Sequence, residues 1–264
     1  MKSVQLFLIS LLLFAIQSCK DSSNPIIPVN NKFTYPLKTG NQWNYSASVV
    51  YSNIRPDSIN NRLTNYSVEL KVSATKDTLL DSLRVTEMKE ESKDYADAYS
   101  YYSNKEEGLI NYAYSNTPSL VLPKTNAVKK FVYRNKYYSS IEELIKKQEE
   151  IITLSMIPYD SIIFHDQPRI IYKYPLDIGQ EWIFSPSVVR INKEVIGKET
   201  VKTNVGLYEC YKIQWKYDFD SDGNTDEDFI YYEYVGSKGM LKTEITIKDV
   251  AISTIRLVLN NYSK

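Results

Sequence analysis

The chain has 264 residues, and its 32 basic and 32 acidic side chains give a formal net charge of zero. This balance excludes nucleic acid as a bulk electrostatic partner. Tyrosine occurs 23 times and glycine only eight times, which favours half-buried β-strands over helices and over phosphate-cradling glycine loops.

Residues 1–18 are predicted to be a secretory signal peptide. Lys2 is followed by an apolar run over residues 4–16, shorter than the roughly 20 residues that a membrane-spanning helix needs. The sequence Ile16-Gln17-Ser18-Cys19 resembles a bacterial lipobox, in which the cysteine becomes the lipidated first residue. The resemblance implies a lipoprotein whose acyl chains, palmitate among them, are attached at Cys19. Ordinary signal cleavage near Ser18 is the alternative.

Residues 19–32 predict a lipidated tether, because Ser, Asn and Pro are frequent there and no periodicity is present. Lys20-Asp21 resembles part of the signal by which some bacteria send lipoproteins to the outer face. We therefore expect a cell-envelope location, on the periplasmic or the surface side of the outer membrane. If lipidation consumes Cys19, Cys210 has no disulfide partner in the mature chain and is expected to be a small core residue.

Residues 33–264 are predicted to form one β-rich domain built around a repeated motif. Residues 35–45 and 174–184 share the pattern Tyr-Pro-Leu, two residues, Gly, two residues, Trp, one residue, aromatic. Proline suits a strand start, and the glycine, Gly40 or Gly179, supplies a turn. The tryptophan that follows, Trp43 or Trp182, and the aromatic residue two positions later share one face of the next strand.

The repeat extends beyond this motif, which predicts two related antiparallel units at about residues 33–120 and 171–250. Gly40 precedes Gly108 by 68 residues, and Gly179 precedes Gly239 by 60, each pair ending in Gly and two apolar residues. The connector, about residues 121–170, contains a capping box at Ser140 and an apolar stripe that predict one helix near residues 140–151. The expected fold class is therefore mainly β, with antiparallel sheets and one helix.

Other stretches give clearer strand signals. Residues 64–74, 97–102, 109–115, 207–217, 241–248 and 251–259 alternate or are rich in β-formers, and residues 162–164 and 170–172 look like short strands. The charge run over residues 89–94, Lys-Glu-Glu-Ser-Lys-Asp, is predicted to be a solvated turn.

The two motif copies, residues 206–213 and residues 236–242 together resemble a loose group of uncharacterised bacterial lipoproteins with a repeated Tyr-Pro-Leu-x-x-Gly-x-x-Trp motif. The resemblance covers most of residues 171–247 and, more weakly, residues 33–115. It implies a β-rich extracytoplasmic domain and carries over no catalytic residue.

The Asp-rich stretch over residues 218–228 resembles a calcium loop of the EF-hand type, with acids at alternating positions around Gly223. Phe229 stands at the twelfth place, where a bidentate Glu is expected, and strands flank the loop instead of helices. The alternative is a solvated hairpin turn. The candidate calcium ligands are Asp218, Asp220, Asp222, Asn224, Asp226 and Asp228.

Other chemistry has weaker support in the sequence. His165 is the only histidine, and no nucleophile-elbow motif surrounds a serine. Residues 129–138 interleave basic and aromatic side chains, which indicates a strand with a polar face in preference to a sugar- or base-stacking patch.

We therefore expect a lipid-anchored extracytoplasmic protein that is a non-enzymatic binding or envelope-accessory module. Its partners would be the membrane, through the anchor, and an envelope protein or glycan, with calcium as a possible cofactor and no nucleic acid. The alternative is a hydrolase that acts on envelope polymers through paired carboxylates, which a cleft with two inward acids would favour.

Overall fold

The computed structural model describes residues 25–29, 32–55, 57–58, 63–93, 97–115, 131–133, 136–138, 162–186, 189–219 and 222–264. The predicted signal peptide, Cys19, the predicted helix near residues 140–151 and Asp220 lie outside the described residues. Within these ranges the secondary structure is almost all β, so the predicted fold class is confirmed. No helix of the described residues has the length and apolar character needed to cross a membrane.

The strands of the described residues are β1 (Ile26–Ile27), β2 (Gln42–Ser52), β3 (Tyr66–Leu80), β4 (Leu83–Ser92), β5 (Ala98–Asn104), β6 (Gly108–Ser115), β7 (Phe131–Tyr133), β8 (Lys136–Tyr138), β9 (Ile163–Lys173), β10 (Glu181–Ser185), β11 (Arg190–Thr203), β12 (Gly206–Asp218), β13 (Phe229–Gly236), β14 (Gly239–Lys248) and β15 (Ile252–Ser263). The two segments predicted as short strands within residues 162–172 are one continuous strand, β9. β7 and β8 form a separate hairpin in the region of the basic and aromatic stretch.

Twelve of these strands follow one path through a single sheet, in the order β10-β11-β12-β13-β14-β15-β2-β3-β4-β5-β6-β9. All neighbours on this path are antiparallel. The path consists of two runs of six strands each, β10 to β15 and then β2 to β6 followed by β9, joined where β15 pairs with β2. The sheet curls so far that side chains of β10 and β11 reach the backbone of β9 at its other edge.

The two motif turns make the same backbone contacts. Gly40 and Gly179 have positive φ angles of 96° and 87°. In the first copy Gly40 N–H donates to Ala74 O at 2.9 Å, and Ala74 N–H donates to Asn41 O at 2.9 Å. In the second copy Gly179 and Gln180 make the equivalent pair of bonds with Val195, at 2.7 and 3.0 Å. A β-bulge follows the partner residue in both copies.

The motif tryptophans occupy matching places. Trp43 and Trp182 are the second residues of β2 and β10, with 0% and 7% of their surface exposed. The copies differ in that the Tyr174–Pro175 peptide is cis. The copies also touch: Tyr35 N–H donates to the Tyr174 hydroxyl at 2.8 Å. The two motif copies thus share a turn geometry and touch each other, while the extended repeat units stay a prediction.

Strand alternation gives the molecule two distinct ends. The motif end carries both motif turns and the hairpins β3–β4, β5–β6, β11–β12 and β13–β14. The far end carries the connections β2–β3, β4–β5, β12–β13 and β14–β15, so the Asp-rich stretch lies there. The long connection between β6 and β9 also leaves from and returns to the far end.

The N-terminal segment is fastened to the motif end. β1 runs parallel to the first residues of β12, with Ile26 opposite Leu207. Val29 N–H donates to Glu209 Oε2 at 3.2 Å, and Val29, Phe33 and Tyr35 are buried in the core. The segment predicted as a lipidated tether therefore pairs with β12 through the backbone of Ile26–Ile27 and is buried at Val29.

The prediction of a turn at residues 89–94 is wrong for Lys89 to Ser92, which belong to β4. The charged residues sit on a strand because they pair across it. Lys89 Nζ lies 2.9 Å from Glu91 and 2.8 Å from Asp97, and Lys71 Nζ lies 3.1 Å from Glu91. A charge run on a sheet surface can thus form ion pairs in place of a solvated loop.

Candidate functional site

The Asp-rich stretch forms the loop between β12 and β13, as the flanking strands predicted. Its carboxylates bind the loop's own backbone. Asp218 Oδ2 accepts Gly223 N–H at 3.0 Å, Asp222 Oδ1 accepts Asn224 N–H at 2.8 Å, and Asp226 Oδ2 accepts Phe219 N–H at 2.9 Å. Asp228 contributes its carbonyl oxygen to Lys248 N–H at 2.8 Å. These bonds are those of a hairpin loop closed by its own acids.

In the described part of this loop, one buried carboxylate oxygen has no hydrogen-bond partner. Asp218 is only 7% exposed, and its Oδ1 is buried without a hydrogen-bond partner among the described residues. The described residues contain no group of three or more Asp, Glu, His or Cys close enough together to hold a metal. Since Asp220 lies outside them, calcium binding by Asp218, Asp220, Asp222, Asn224, Asp226 and Asp228 stays a prediction.

The interior contains a fully buried lysine, Lys193, which was not predicted from the sequence. The strand register sets Trp182, Lys193 and Trp215 side by side on β10, β11 and β12. Lys193 has none of its surface exposed, and its Nζ lies 3.6 Å from the ring centroid of Trp215. The rings of Tyr172 and Phe184 are within 5.1 and 5.0 Å of the same atom. An ammonium over aromatic faces is attracted by their quadrupoles, and more strongly where water is excluded.

Glu233 on β13 completes this cluster. Its Oε2 accepts Trp215 Nε1–H at 3.0 Å and lies 3.4 Å from Lys193 Nζ, while its Oε1 accepts the Tyr172 hydroxyl. Each carboxylate oxygen therefore has a donor, as a buried charge requires. The sequence did contain a signal: Lys193 and Glu233 both stand at inward positions of alternating strands, Lys193 between Ile191 and Val195.

The cluster also joins the two edges of the sheet. Lys193 Nζ donates to Ile171 O at 2.9 Å, and Trp182 Nε1–H donates to Ile170 O at 3.0 Å. Both carbonyls belong to β9, the strand at the opposite edge of the sheet from β10. Side chains thus satisfy backbone acceptors that would otherwise be left open at a sheet edge.

Burial governs the protonation of these groups. Desolvation lowers the pKa of Lys193 to about 8, although Glu233 favours the charged ammonium. Desolvation and the nearby Glu233 raise the pKa of Tyr172 well above its usual value. A lysine held between four rings and a carboxylate, with no exposed surface, has the geometry of a structural ion pair. The arrangement offers no approach for a substrate.

His165 is held in a neutral state. Its Nε2–H donates to Asn111 Oδ1 at 2.5 Å, which fixes the tautomer because an amide oxygen only accepts. Asn111 in turn donates to Tyr101 O and Ala113 O across a β-bulge. Desolvation and Arg169 lower the pKa of His165 to about 3. The histidine therefore braces the bulge between β5 and β6.

Cys210 is a free, fully buried thiol within the described residues. Burial raises its pKa to about 12, so it is an unreactive core residue, as predicted.

A surface pocket of about 230 Å³ opens at the motif end. It is lined by Leu37, Asp77, Arg84, Val85, Thr86, Tyr102, Ser103, Asn104 and Lys105. Asp77 Oδ1 accepts the hydroxyls of Thr39 and Thr86 at 3.0 and 2.8 Å. The carboxylate pair that the hydrolase alternative requires is not what these lining residues supply, since they combine one acid with Arg84 and Lys105. That alternative stays a prediction.

No protein-family model and no curated protein matches the sequence. The solved structures to which this chain is similar include the following two. A candidate exported protein with a YmcC-like fold from Bacteroides fragilis is 13% identical with a TM-score of 0.42, and the match covers 88% of this chain and 100% of that one. A candidate lipoprotein from Parabacteroides distasonis is 13% identical with a TM-score of 0.40, over 88% of this chain and 99% of that one. A likeness at this level says nothing about a shared ligand or activity.

Proposed function

We propose that this chain is a lipid-anchored, non-enzymatic binding or accessory module of the cell envelope. In this proposal Cys19 carries the anchor, and the far end of the sheet meets an envelope protein or glycan. The observation that carries the proposal is the docking of residues 26–29 and 32–35 on the motif end. An anchor at Cys19 would hold the motif end next to the membrane, so the far-end loops would point away from the membrane.

The interior supports a scaffold role. Its largest buried side chains include Trp43, Tyr45, Tyr217 and Tyr231, and its central ion pair is enclosed by aromatic rings. Such a core stabilises a rigid sheet on which loops can be displayed, and recognition by loops on a rigid scaffold is common.

The test is to replace the anchoring residue. Cys19→Ala should release the protein from the membrane fraction, because the rest of the sequence contains no second long apolar run. The parent protein should remain membrane-bound through a high-salt wash and should incorporate labelled palmitate, which the variant should not. Retention of Cys19→Ala on washed membranes would contradict the anchor. Release of fragments from envelope polymers by the purified protein would favour the hydrolase alternative instead.

A further inference from the structure

The most exposed large apolar side chains of the described residues lie at the motif end. Leu79 is 70% exposed, Ile178 is 64% exposed and Ile26 is 54% exposed. Leu79 is near the tip of the β3–β4 hairpin, Ile178 precedes the glycine of the second motif turn, and Ile26 begins β1. An exposed apolar group at a loop tip is a feature of surfaces that enter a membrane interface.

Both basic and acidic side chains accompany this apolar surface: Asp81 lies at the turn of the β3–β4 hairpin, Glu106 and Glu107 lie in the β5–β6 hairpin, and each hairpin also carries one basic side chain. Arg84 lies directly opposite Leu79 in the β3–β4 ladder, and Lys105 lies in the β5–β6 hairpin. Both line the pocket at the motif end. Among the described residues neither side chain has a carboxylate partner, whereas Lys71, Lys89 and Lys216 all pair with acids. An unpaired cation beside an exposed Leu matches the phosphate groups and acyl boundary of a lipid surface.

The length of the chain outside the structure decides which end meets the membrane. The six peptide steps from Cys19 to Pro25 span at most about 20 Å, however they are arranged. β12 alone has 13 residues, which corresponds to about 40 Å from the motif end to the far end. β1 begins at the motif end, so the anchor can bring that end to the lipid surface but cannot bring the far end there.

We infer that the motif end is a membrane-docking surface, in which Leu79 and Ile178 enter the lipid interface while Arg84 and Lys105 contact anionic lipid phosphates. This inference rests on the proposed anchor at Cys19 and deepens it. The domain contacts the bilayer in one fixed orientation and does not reorient freely about the tether.

The experiment uses the lipidated full-length protein in vesicles that contain phosphatidylglycerol and a lipid-attached quencher. A fluorophore is placed at Leu79→Cys or Ile178→Cys, with Val50→Cys as the control. Val50 is 40% exposed on β2 and lies towards the far end. Cys210 is buried and should stay unlabelled. The labels at positions 79 and 178 should be quenched strongly, and the label at position 50 should not.

Charge removal provides the second arm. Arg84→Gln and Lys105→Gln should each lower the ratio of docked to undocked protein about fivefold, judged by quenching of the label at position 79. Vesicles of neutral lipid remove both contacts, so the parent protein should show about a 25-fold loss there. Equal quenching at positions 50 and 79, in protein that still floats with the vesicles, would overturn the docking surface while leaving the anchor intact. Failure of the protein to float would overturn both.

Discussion

At the scale of single residues, Lys193 and Glu233 show what the sequence did not reveal. Neither residue was predicted to have a structural or functional role. The alternation placed them on the inward face, but the curl of the sheet, which brings Tyr172 and Ile171 across from β9, depends on contacts between residues more than 20 positions apart. Periodicity identifies a face and gives no information about what lies opposite it.

The ion pair makes a prediction about stability. Lys193→Met should lower the free energy of unfolding by about 3–5 kcal/mol, because it leaves the buried carboxylate of Glu233 without its cation. Adding Glu233→Gln should recover part of the loss, since a neutral amide can accept Trp215 Nε1–H with its oxygen and donate from its NH2 group to the oxygen of the Tyr172 hydroxyl. Urea unfolding of the two single variants and the double variant gives the coupling energy.

A matched control is Lys216→Met on the next strand. Lys216 pairs with Glu181 and Glu194 at 2.7 Å, but its side chain is 27% exposed. Its loss should therefore cost no more than about 1 kcal/mol. Comparable costs for Lys193→Met and Lys216→Met would show that the buried cluster has no special role.

At the scale of elements, strands were the most predictable part of the chain. β14 alternates between fully buried and half-buried residues as its sequence does, and β12 and β13 flank the Asp-rich loop as predicted. The prediction at residues 89–92 is wrong because a run of charged residues occurs on exposed strand faces as well as in loops. On the outer face of a sheet, Lys and Glu on neighbouring strands form cross-strand pairs, which a single segment does not show.

The Asp-rich loop makes a prediction about calcium. Acids crowded into 11 residues repel one another, and a bound cation would remove that repulsion. The buried, unpartnered Oδ1 of Asp218 is the oxygen that would benefit most. At a hundredfold excess over its dissociation constant, calcium should stabilise the fold by about 2.7 kcal/mol. The measurement is the melting temperature in calcium chloride, in magnesium chloride and in sodium chloride of matched ionic strength.

Magnesium should have a smaller effect than calcium, because it requires octahedral geometry and retains its waters. Asp218→Asn should abolish the calcium response, whereas Glu106→Gln, in an exposed hairpin at the motif end, should leave it unchanged. Equal responses to the three salts would identify the loop as a hairpin closed only by its own hydrogen bonds.

At the scale of the whole molecule, the sheet path contains two runs of six strands, and the motif turn before each run makes the same pair of backbone bonds. The two repeat units at about residues 33–120 and 171–250 stay a prediction, since β9 and β15 extend outside those bounds. The joining of the two runs into one curled sheet was not predictable. Pairing of β15 with β2 and closure by the Lys193 cluster depend on contacts between the units, which the repeat pattern does not contain.

Tyrosine burial across the whole interior makes the last prediction, which concerns alkaline pH. Desolvation raises the pKa values of Tyr35, Tyr45 and Tyr172 well above 10.0. Above about pH 10 these groups ionise in the unfolded chain but not in the fold, so the unfolded state binds fewer protons and stability falls as pH rises.

Lys193 has the opposite effect, because its pKa is lowered to about 8: between pH 8 and the usual lysine value of 10.5, stability rises with pH as a result. The free energy of unfolding should therefore rise between about pH 8 and 10, by up to one proton's slope from Lys193, and then fall steeply above about pH 10, with a slope of several protons. Urea unfolding at about pH 7, 9 and 11 measures this slope, and Tyr45→Phe should reduce it by one proton above pH 10 whatever its effect on absolute stability. An unchanged slope in Tyr45→Phe would mean that this buried tyrosine ionises as readily in the fold as in the unfolded chain.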